Sequence, residues 1–447
     1  MKNLVKTLRN IWKIDELRSR ITTTLVLVAV YRLGSYIILP GIDSKILAQQ
    51  SAQNGGSILD ILNSFTGGAF ANASIFALGI MPYISASIIV QLLGIAIPYF
   101  QKLQKEGESG RNKMNQITRA LTVIITAAQA PSYLATYIPS NARPDTTLWW
   151  VLAITILIAG TIFTMWLGER ITDRGIGNGI SLIIMIGIIA GLPSGMGVEF
   201  ADKMQPEGGG LILFLLEMVI LLLVIIVSIL LVQGTRKIPI QFAKKIVGNK
   251  QYGGVRQYLP LKVNAAGVMP IIFAQAIMFI PIMVAGFATD GGGWIMRNFS
   301  DFTSFWYNFV FGLMIVLFTY FYTAITVNPQ QIADDLKRNG GFIPGVKPGK
   351  KTAEYIDNVM SRITLPGSLF LAFVAILPAF AIMGGVNQSF AQFFGGTSLL
   401  ILVGVVLDTL QQIESHLLMR QYDGLMKSGR IKGRSPMNVG MSGAGAY

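Results

Sequence analysis

The sequence predicts an all-α, multi-pass membrane protein with ten transmembrane helices, and three observations carry that expectation. Of 447 residues, 52% are hydrophobic and only 13% are charged, against about 25% charged in a soluble domain. Ten apolar stretches reach the length of roughly 20 residues that a helix needs to cross a hydrocarbon core of about 30 Å. Lys and Arg alternate from side to side of these stretches, as they do when positive loops stay inside.

The stretches fall at about 21–40, 73–97, 117–137, 148–168, 176–192, 210–232, 264–288, 305–327, 364–384 and 397–418. Residues 1–20 set Leu4, Leu8, Ile11 and Trp12 against Lys2, Lys6, Arg9 and Lys13, a pattern that predicts an interfacial helix rather than a cleavable signal. Between the first two stretches, SILDILNSFTGGAF (Ser57–Phe70) is too short and too polar to span, and predicts an interfacial or re-entrant piece. Pro82 interrupts the second stretch. The fifth is the shortest, and the glycine-rich run Gly175–Gly179 before it reads as a flexible lead-in, since no Rossmann context follows.

With the N-terminus taken as cytoplasmic, 31 of the 36 Lys and Arg lie on that side, Arg32 lies within the first span, and only Lys45, Arg143, Lys203 and Arg297 lie opposite. Both termini are basic, so the number of spans should be even; ten divide into five plus five, residues 21–192 and 193–418, with a basic tail at 419–447 and no evident repeat in the letters. An odd number per half puts any duplicated halves in opposite orientations. The inner loop 233–263 holds Arg236, Lys237, Lys244, Lys245, Lys250, Arg256 and Lys262 with no acidic residue, interleaved with Phe242, Tyr252 and Tyr258. Anionic lipid attracts such a loop, but its length and aromatics suit docking to nucleic acid or an acidic protein surface. The second large inner loop, 328–363, is mixed in charge and rich in Gly and Pro.

Enzymatic chemistry finds little footing. There is no cysteine and one histidine, His416, which excludes disulfide scaffolds, thiolate nucleophiles and Cys/His zinc centres. GVKPGKKT (Gly345–Thr352) imitates a phosphate loop, yet its glycine spacing is one residue short and Lys351 stands at the Ser/Thr position. The serine of GMSG, Ser442, has no base nearby for a hydrolase. Charges within spans are functional candidates by default. Arg32 and Glu217 lie where snorkelling or pairing accounts for them, and Glu414 lies near the inner surface. Asp408, near the middle of the tenth span, fits either a transporter's coupling-ion ligand or a charge satisfied by bundle packing.

Six motifs occur in one order: ASIFALGIMPYISASIIVQLL (Ala73–Leu93), KEGESGRNKMNQITR (Lys105–Arg119), ITDRGIGNGISLII (Ile171–Ile184), PLKVNAAGVMPIIFA (Pro260–Ala274), GGFIPGVKPGKKTAEYI (Gly340–Ile356) and GGTSLLI (Gly395–Ile401). Together they closely resemble the SecY family, the central channel subunit of the protein-secretion translocon, over nearly the whole chain. The resemblance implies two inverted halves of five helices that open like a clam, with a lateral gate between the second and seventh spans. It implies a passive, non-enzymatic channel without cofactor or metal, which passes unfolded secretory proteins and releases apolar segments into lipid. Ion-coupled secondary transport through Asp408 is the alternative.

Position within the motifs implies a pore ring of Ile80, Ile84, Ile180, Ile184, Ile272 and Ile401. A narrow apolar collar dewets when empty and packs around a threaded chain, and the spacing of four within the first two pairs keeps each on one helix face. The segment 57–70 is implied to be the plug, with Ser57, Leu59, Leu62 and Phe65 in its body and Gly67 and Gly68 permitting a hinge. A gate seam needs small, weakly polar residues: Ser85, Ser87 and Gln91 in the second span and Asn264 and Gln275 in the seventh are expected there, with a Gln or Asn bonded across helices weakly enough for a signal sequence to replace it. The resemblance further implies SecE-like and SecG-like small subunits, a SecA-like ATPase, and a ribosome whose rRNA meets the basic loops. Signal sequences and nascent chains would be its substrates, anionic lipids its surroundings and the bacterial inner membrane its site. One departure stands out: Lys347 occupies a position where the family usually has arginine, and lysine lacks the planar fork.

Overall fold

The computed structural model describes residues 14–43, 66–144, 146–205, 209–242, 245–247, 250–252, 256–275, 277–278 and 303–427, with 12, 46, 47, 63, 298 and 301. Helices coincide with nine of the ten expected spans, and the seventh is described only as far as residue 278. Among the described residues, six helices are long and apolar enough to cross a membrane, or seven if one bent pair counts as a span.

Helix α1 (Asp15–Gly34) stops earlier than the apolar run. The chain beyond it turns into an isolated antiparallel bridge, Ile38 to Ser74, in which Leu39 N–H donates to Ala73 O at 3.0 Å and Ile75 N–H to Ile37 O at 2.9 Å. Residues 67–80 are accordingly turns, and α2 (Met81–Ala96) begins at the proline instead of being interrupted by it. Pro82 sits in the first helical turn, where its missing N–H has no intrahelical acceptor to lose. At the far end Ile97 is extended (φ −112, ψ 123) before Pro98, as the residue preceding a proline tends to be. The short helix α3 (Pro98–Lys105) therefore leaves at 101°.

Helices α4 (Glu108–Tyr137) and α5 (Thr147–Arg174) extend the third and fourth spans. Helix α6 (Gly179–Lys203) runs eleven residues beyond the expected end of the fifth span at 192 and carries Pro193 inside it. Its start is fixed by Asn178, whose side-chain oxygen accepts from the N–H groups of Ile180 and Ser181. Helix α7 (Gly210–Gln233) follows. Strands β1 (Thr235–Phe242), β2 (Lys245–Val247), β3 (Lys250–Tyr252) and β4 (Arg256–Lys262) then occupy the first large basic loop. After α8 (Phe305–Thr326), α9 (Pro329–Arg338) and β5 (Gly341–Phe342) come α10 (Lys350–Met383), the four-residue α11 (Gln388–Ala391) and α12 (Gly396–Lys427).

Among the described residues, the named β-strands all lie in the inner loops. Strand β1 pairs antiparallel with β4 from Thr235 opposite Lys262 to Gln241 opposite Arg256, and β5 from the second loop joins its other edge. Ile238 and Ile240 are buried while Arg236 and Lys237 are exposed. The buried side forms a small core with Leu261, Ile343, Ile356 and Met360, so both loops belong to one platform on the start of α10. A second core gathers Leu39, Phe70, Tyr133, Leu134, Trp149 and Leu157 among α4, α5 and the turns after α1. The largest core lies in the centre of the bundle.

Candidate functional site

All six ring isoleucines fall in that central core. Ile80, Ile84, Ile184 and Ile401 are 4%, 7%, 2% and 1% exposed, and Ile180 and Ile272 are partly buried against the same cluster. They come from the turn before α2, from α2 itself, α6, the described start of the seventh span and α12. Two glycines let these elements meet. A Cβ on Gly168 of α5 would stand 3.1 Å from Ile180 Cγ1 and 3.5 Å from Ile80 Cδ1, and one on Gly404 of α12 would stand 2.7 Å from Val268 Cγ2.

The gate residues differ from expectation in their bonding. Ser85 donates to Met81 O (3.2 Å) and Gln91 Nε2 to Ser87 Oγ (3.3 Å), both within α2. Asn264 and Gln275 are buried, and the side-chain oxygen of each accepts no hydrogen bond from any described residue. Helical i−4 carbonyls and hydroxyls are closer at hand than a neighbouring helix, so α2 satisfies its own polar groups. Gln275 instead lines a small cavity of about 50 Å³ with Tyr307, Phe311, Pro378 and Thr397.

Of the plug residues, Ser57, Leu59, Leu62 and Phe65 lie outside the described residues. Gly67 (φ +63) and Gly68 (φ +92) are both in the left-handed region, which only glycine occupies without strain. Arg32 donates from Nη1 to Gly67 O (2.9 Å) and from Nη2 to the Tyr36 hydroxyl (3.2 Å), and Tyr31 donates to Thr66 O (3.4 Å). On its other side, a Cβ at Gly67 would come within 2.8 Å of Gly187 Cα in α6. Just beyond, the Tyr133 hydroxyl donates to Phe70 O (2.8 Å), and the Phe70 ring lies edge-on to Tyr133 and Tyr137.

Among the basic residues assigned to docking, Arg236, Lys237 and Lys347 are exposed. Lys245, Lys250 and Arg256 lie on strands β2, β3 and β4, while Lys244 is outside the described residues. Lys347 O accepts from Thr352 Oγ1 at 3.0 Å, so GVKPGKKT is the turn that starts α10.

Sequence reasoning missed two polar junctions. On the face away from the basic loops, Lys203 Nζ lies 3.0 Å from Glu217 Oε1 and 3.4 Å from Glu199 Oε1 and donates to Gly385 O at 2.8 Å. Asn387 donates its N–H to Glu199 (2.7 Å) and its side-chain amide to Asp202 (2.6 Å). Glu199, Lys203 and Glu217 are all buried, which corrects the placement of Lys203 in an outer loop; the i,i+4 spacing of Glu199 and Lys203 was the available signal. On the basic face, the glycine run before α6 is packed rather than flexible. Arg20 donates to Gly175 O, Ile176 N–H to Thr24 Oγ1, and Gly177 N–H to Gln412 Oε1 at 2.9 Å.

Asp408 is exposed, and no hydrogen bond or ion pair joins it to a described residue. The described residues contain no cluster of three His, Cys, Asp or Glu able to hold a metal.

The SecY family model matches residues 74–410. The protein translocase subunit SecY of Streptomyces galbus is 42% identical over 434 residues, covering 93% of this chain and 98% of its own. That of Halalkalibacterium halodurans is 44% identical over 439 residues, covering 95% and 100%, and that of Vibrio cholerae 41% over 438, covering 94% and 96%. Two solved structures share the fold at low identity. A protein-conducting channel superposes with a TM-score of 0.63 at 18% identity, covering 89% of this chain and 92% of that one. Sec61 in the canine ribosome-channel complex from the endoplasmic reticulum gives 0.59 at 17%, with the same coverage. The family model spans well over half of the chain and relatives above 40% identity align along nearly all of it, so the chain belongs to the SecY family.

Proposed function

We propose that this chain is the protein-conducting channel of a secretion translocase, passing unfolded polypeptides across a membrane and releasing apolar segments sideways. The observation that supports the reading is that Ile80, Ile84, Ile184 and Ile401 belong to one apolar core and Ile180 and Ile272 pack against it. Branched aliphatic side chains from separate elements exclude water when nothing is threaded and yield to a chain without losing directional bonds.

The absence of cross-seam hydrogen bonds to Ser85, Ser87 and Gln91 among the described residues suits lateral release. Apolar packing closes the seam, and an entering hydrophobic helix replaces it like for like. Residues 57–70 act as the plug, hinged at Gly67 and Gly68. Driving force comes from outside the chain: a ribosome, through rRNA, or a SecA-like ATPase docks on the platform carrying Arg236, Lys237, Lys244, Lys245, Lys250, Arg256 and Lys347. SecE-like and SecG-like helices and anionic lipids cover the apolar exterior, of which α7 shows the most, in a bacterial inner membrane with both termini cytoplasmic.

The test is electrical. Ile84→Asn together with Ile401→Asn, in the complex reconstituted into planar bilayers, is expected to raise resting ion conductance several-fold; conductance equal to wild type would overturn the collar.

A further inference from the structure

Asp408 is an intramembrane charge that neither collar nor seam employs, and α12 fixes where it points. Seven residues of helix turn through about 700°, so Asp408 lies within about 20° of Ile401 and about 10 Å further along the axis, toward the basic loops. About 40° to one side is Gly404, against Val268 of the seventh-span segment. About 40° to the other is Gln412, bonded to Gly177 N–H at the start of α6. Roughly opposite are Val406 and Leu410, apolar and 38% and 49% exposed, the side turned to lipid. Ile401 and Val405 are 1% and 6% exposed, whereas Asp408 is exposed. The helix face that lines the core thus opens at Asp408, between α6 and the seventh span, with a carboxylate at the opening.

We propose that Asp408 is a specificity-determining residue that recognises cationic side chains, Lys or Arg, of a polypeptide at the basic-loop mouth of the channel. The inference rests on the channel reading given above. On that side of the bundle the loop 233–263 carries seven Lys and Arg and no acidic residue, which repels a cationic segment, so a carboxylate on the collar face draws the segment to the throat and holds it on the near side. Glu414 of the same helix lies about 120° from Asp408 and does not share that face. An ion pair at a water-exposed position sets the scale at about two- to five-fold.

The experiment uses the complete complex in proteoliposomes and two secretory substrates that differ only in a flank of three lysines or three glutamines. Photo-crosslinking from a probe at Ile401 and transport yield are both recorded. Wild type is expected to favour the lysine flank by about two- to five-fold. Asp408→Asn should equalise the two substrates, Asp408→Lys should reverse the order, and Glu414→Gln should leave the wild-type preference in place. The wild-type preference should shrink as salt is raised. Retention of the lysine preference in Asp408→Asn, or an equal loss of both substrates, would overturn the proposal. If the glutamine-flanked substrate never reaches the Ile401 probe in wild type, it is the channel reading that fails instead.

Discussion

Replacing Lys203 with methionine is expected to be the most destabilising single change at the far end of α6. Lys203 Nζ is the one cation within 4 Å of Glu199 and Glu217 among the described residues, at 3.4 and 3.0 Å, with all three side chains at most 7% exposed. Methionine fills a similar volume, so packing changes little and the effect is electrostatic. Two carboxylates are then left buried together without a cation, and breaking such a pair costs about 3–5 kcal/mol. Glu217→Gln keeps Lys203 paired with Glu199 and should cost less. Adding Glu217→Gln to Lys203→Met should recover part of the loss, because Glu199 still accepts the Asn387 N–H. Thermal denaturation of the purified complex in detergent reads out the ranking: wild type, Glu217→Gln, the double variant, then Lys203→Met. A Lys203→Met midpoint indistinguishable from wild type, or a double variant below the single, would refute the reasoning.

Three further outcomes follow from contacts in the bundle. Gly168→Leu inserts carbon where Ile180 and Ile80 already stand 3.1 and 3.5 Å from the Cβ position; overpacking of about 1–3 kcal/mol should push α5 away from α6 and the turn before α2 and appear as raised ion leakage. Arg32→Met should remove the bond to Gly67 O and increase protease cleavage near residue 67, whereas Arg32→Lys restores protection only in part because it lacks the fork. Trp149→Phe keeps an aromatic ring in the second core but loses the 2.8 Å bond from Nε1 to Pro40 O. A loss of about 1 kcal/mol in denaturant stability is expected, with conductance unchanged.

Periodicity and run length located the helices because burial in lipid needs apolar length and little else, and α7 and α8 begin where the apolar runs begin. What the runs did not reveal were competing backbone partners. Residues 35–40 are as apolar as a helix end, yet they pair with the turn at Ser74, a contact between positions far apart in the chain that a local pattern cannot show. Pro193 within α6 and Pro366 within α10 similarly mark no boundary, since a packed bundle re-satisfies the carbonyl a proline frees. The six isoleucines assigned to a pore ring rest on motif order alone; among so many buried aliphatics, spacing by itself does not single out Ile184 from Ile183 or Ile188, each as deeply buried. Beyond the i,i+4 pair Glu199 and Lys203, the partners of both polar junctions were opaque because they lie as much as 188 and 235 residues apart.

The placement of those junctions explains how one bundle can be both persistent and extensible. Helix α6 is tied at its start through Gly175, Ile176 and Gly177 to α1 and α12, and at its end through Glu199 and Lys203 to residues 385–387. Between the ties, Ile180, Ile184 and Ile188 face an apolar core. Hydrogen bonds and ion pairs are directional and lose their worth over about an ångström, so they suit points that must not move. Dispersion and hydrophobic contacts are non-directional and re-form around whatever apolar or extended chain fills the space. A channel that stretches for each substrate and closes again therefore needs its polar bonds at the helix ends and its aliphatic side chains at the waist. A hydrogen-bonding pair introduced at Ile184 and Ile401 would test that division: its directional bond should slow transport of a threaded chain relative to wild type, and transport at the wild-type rate would refute it.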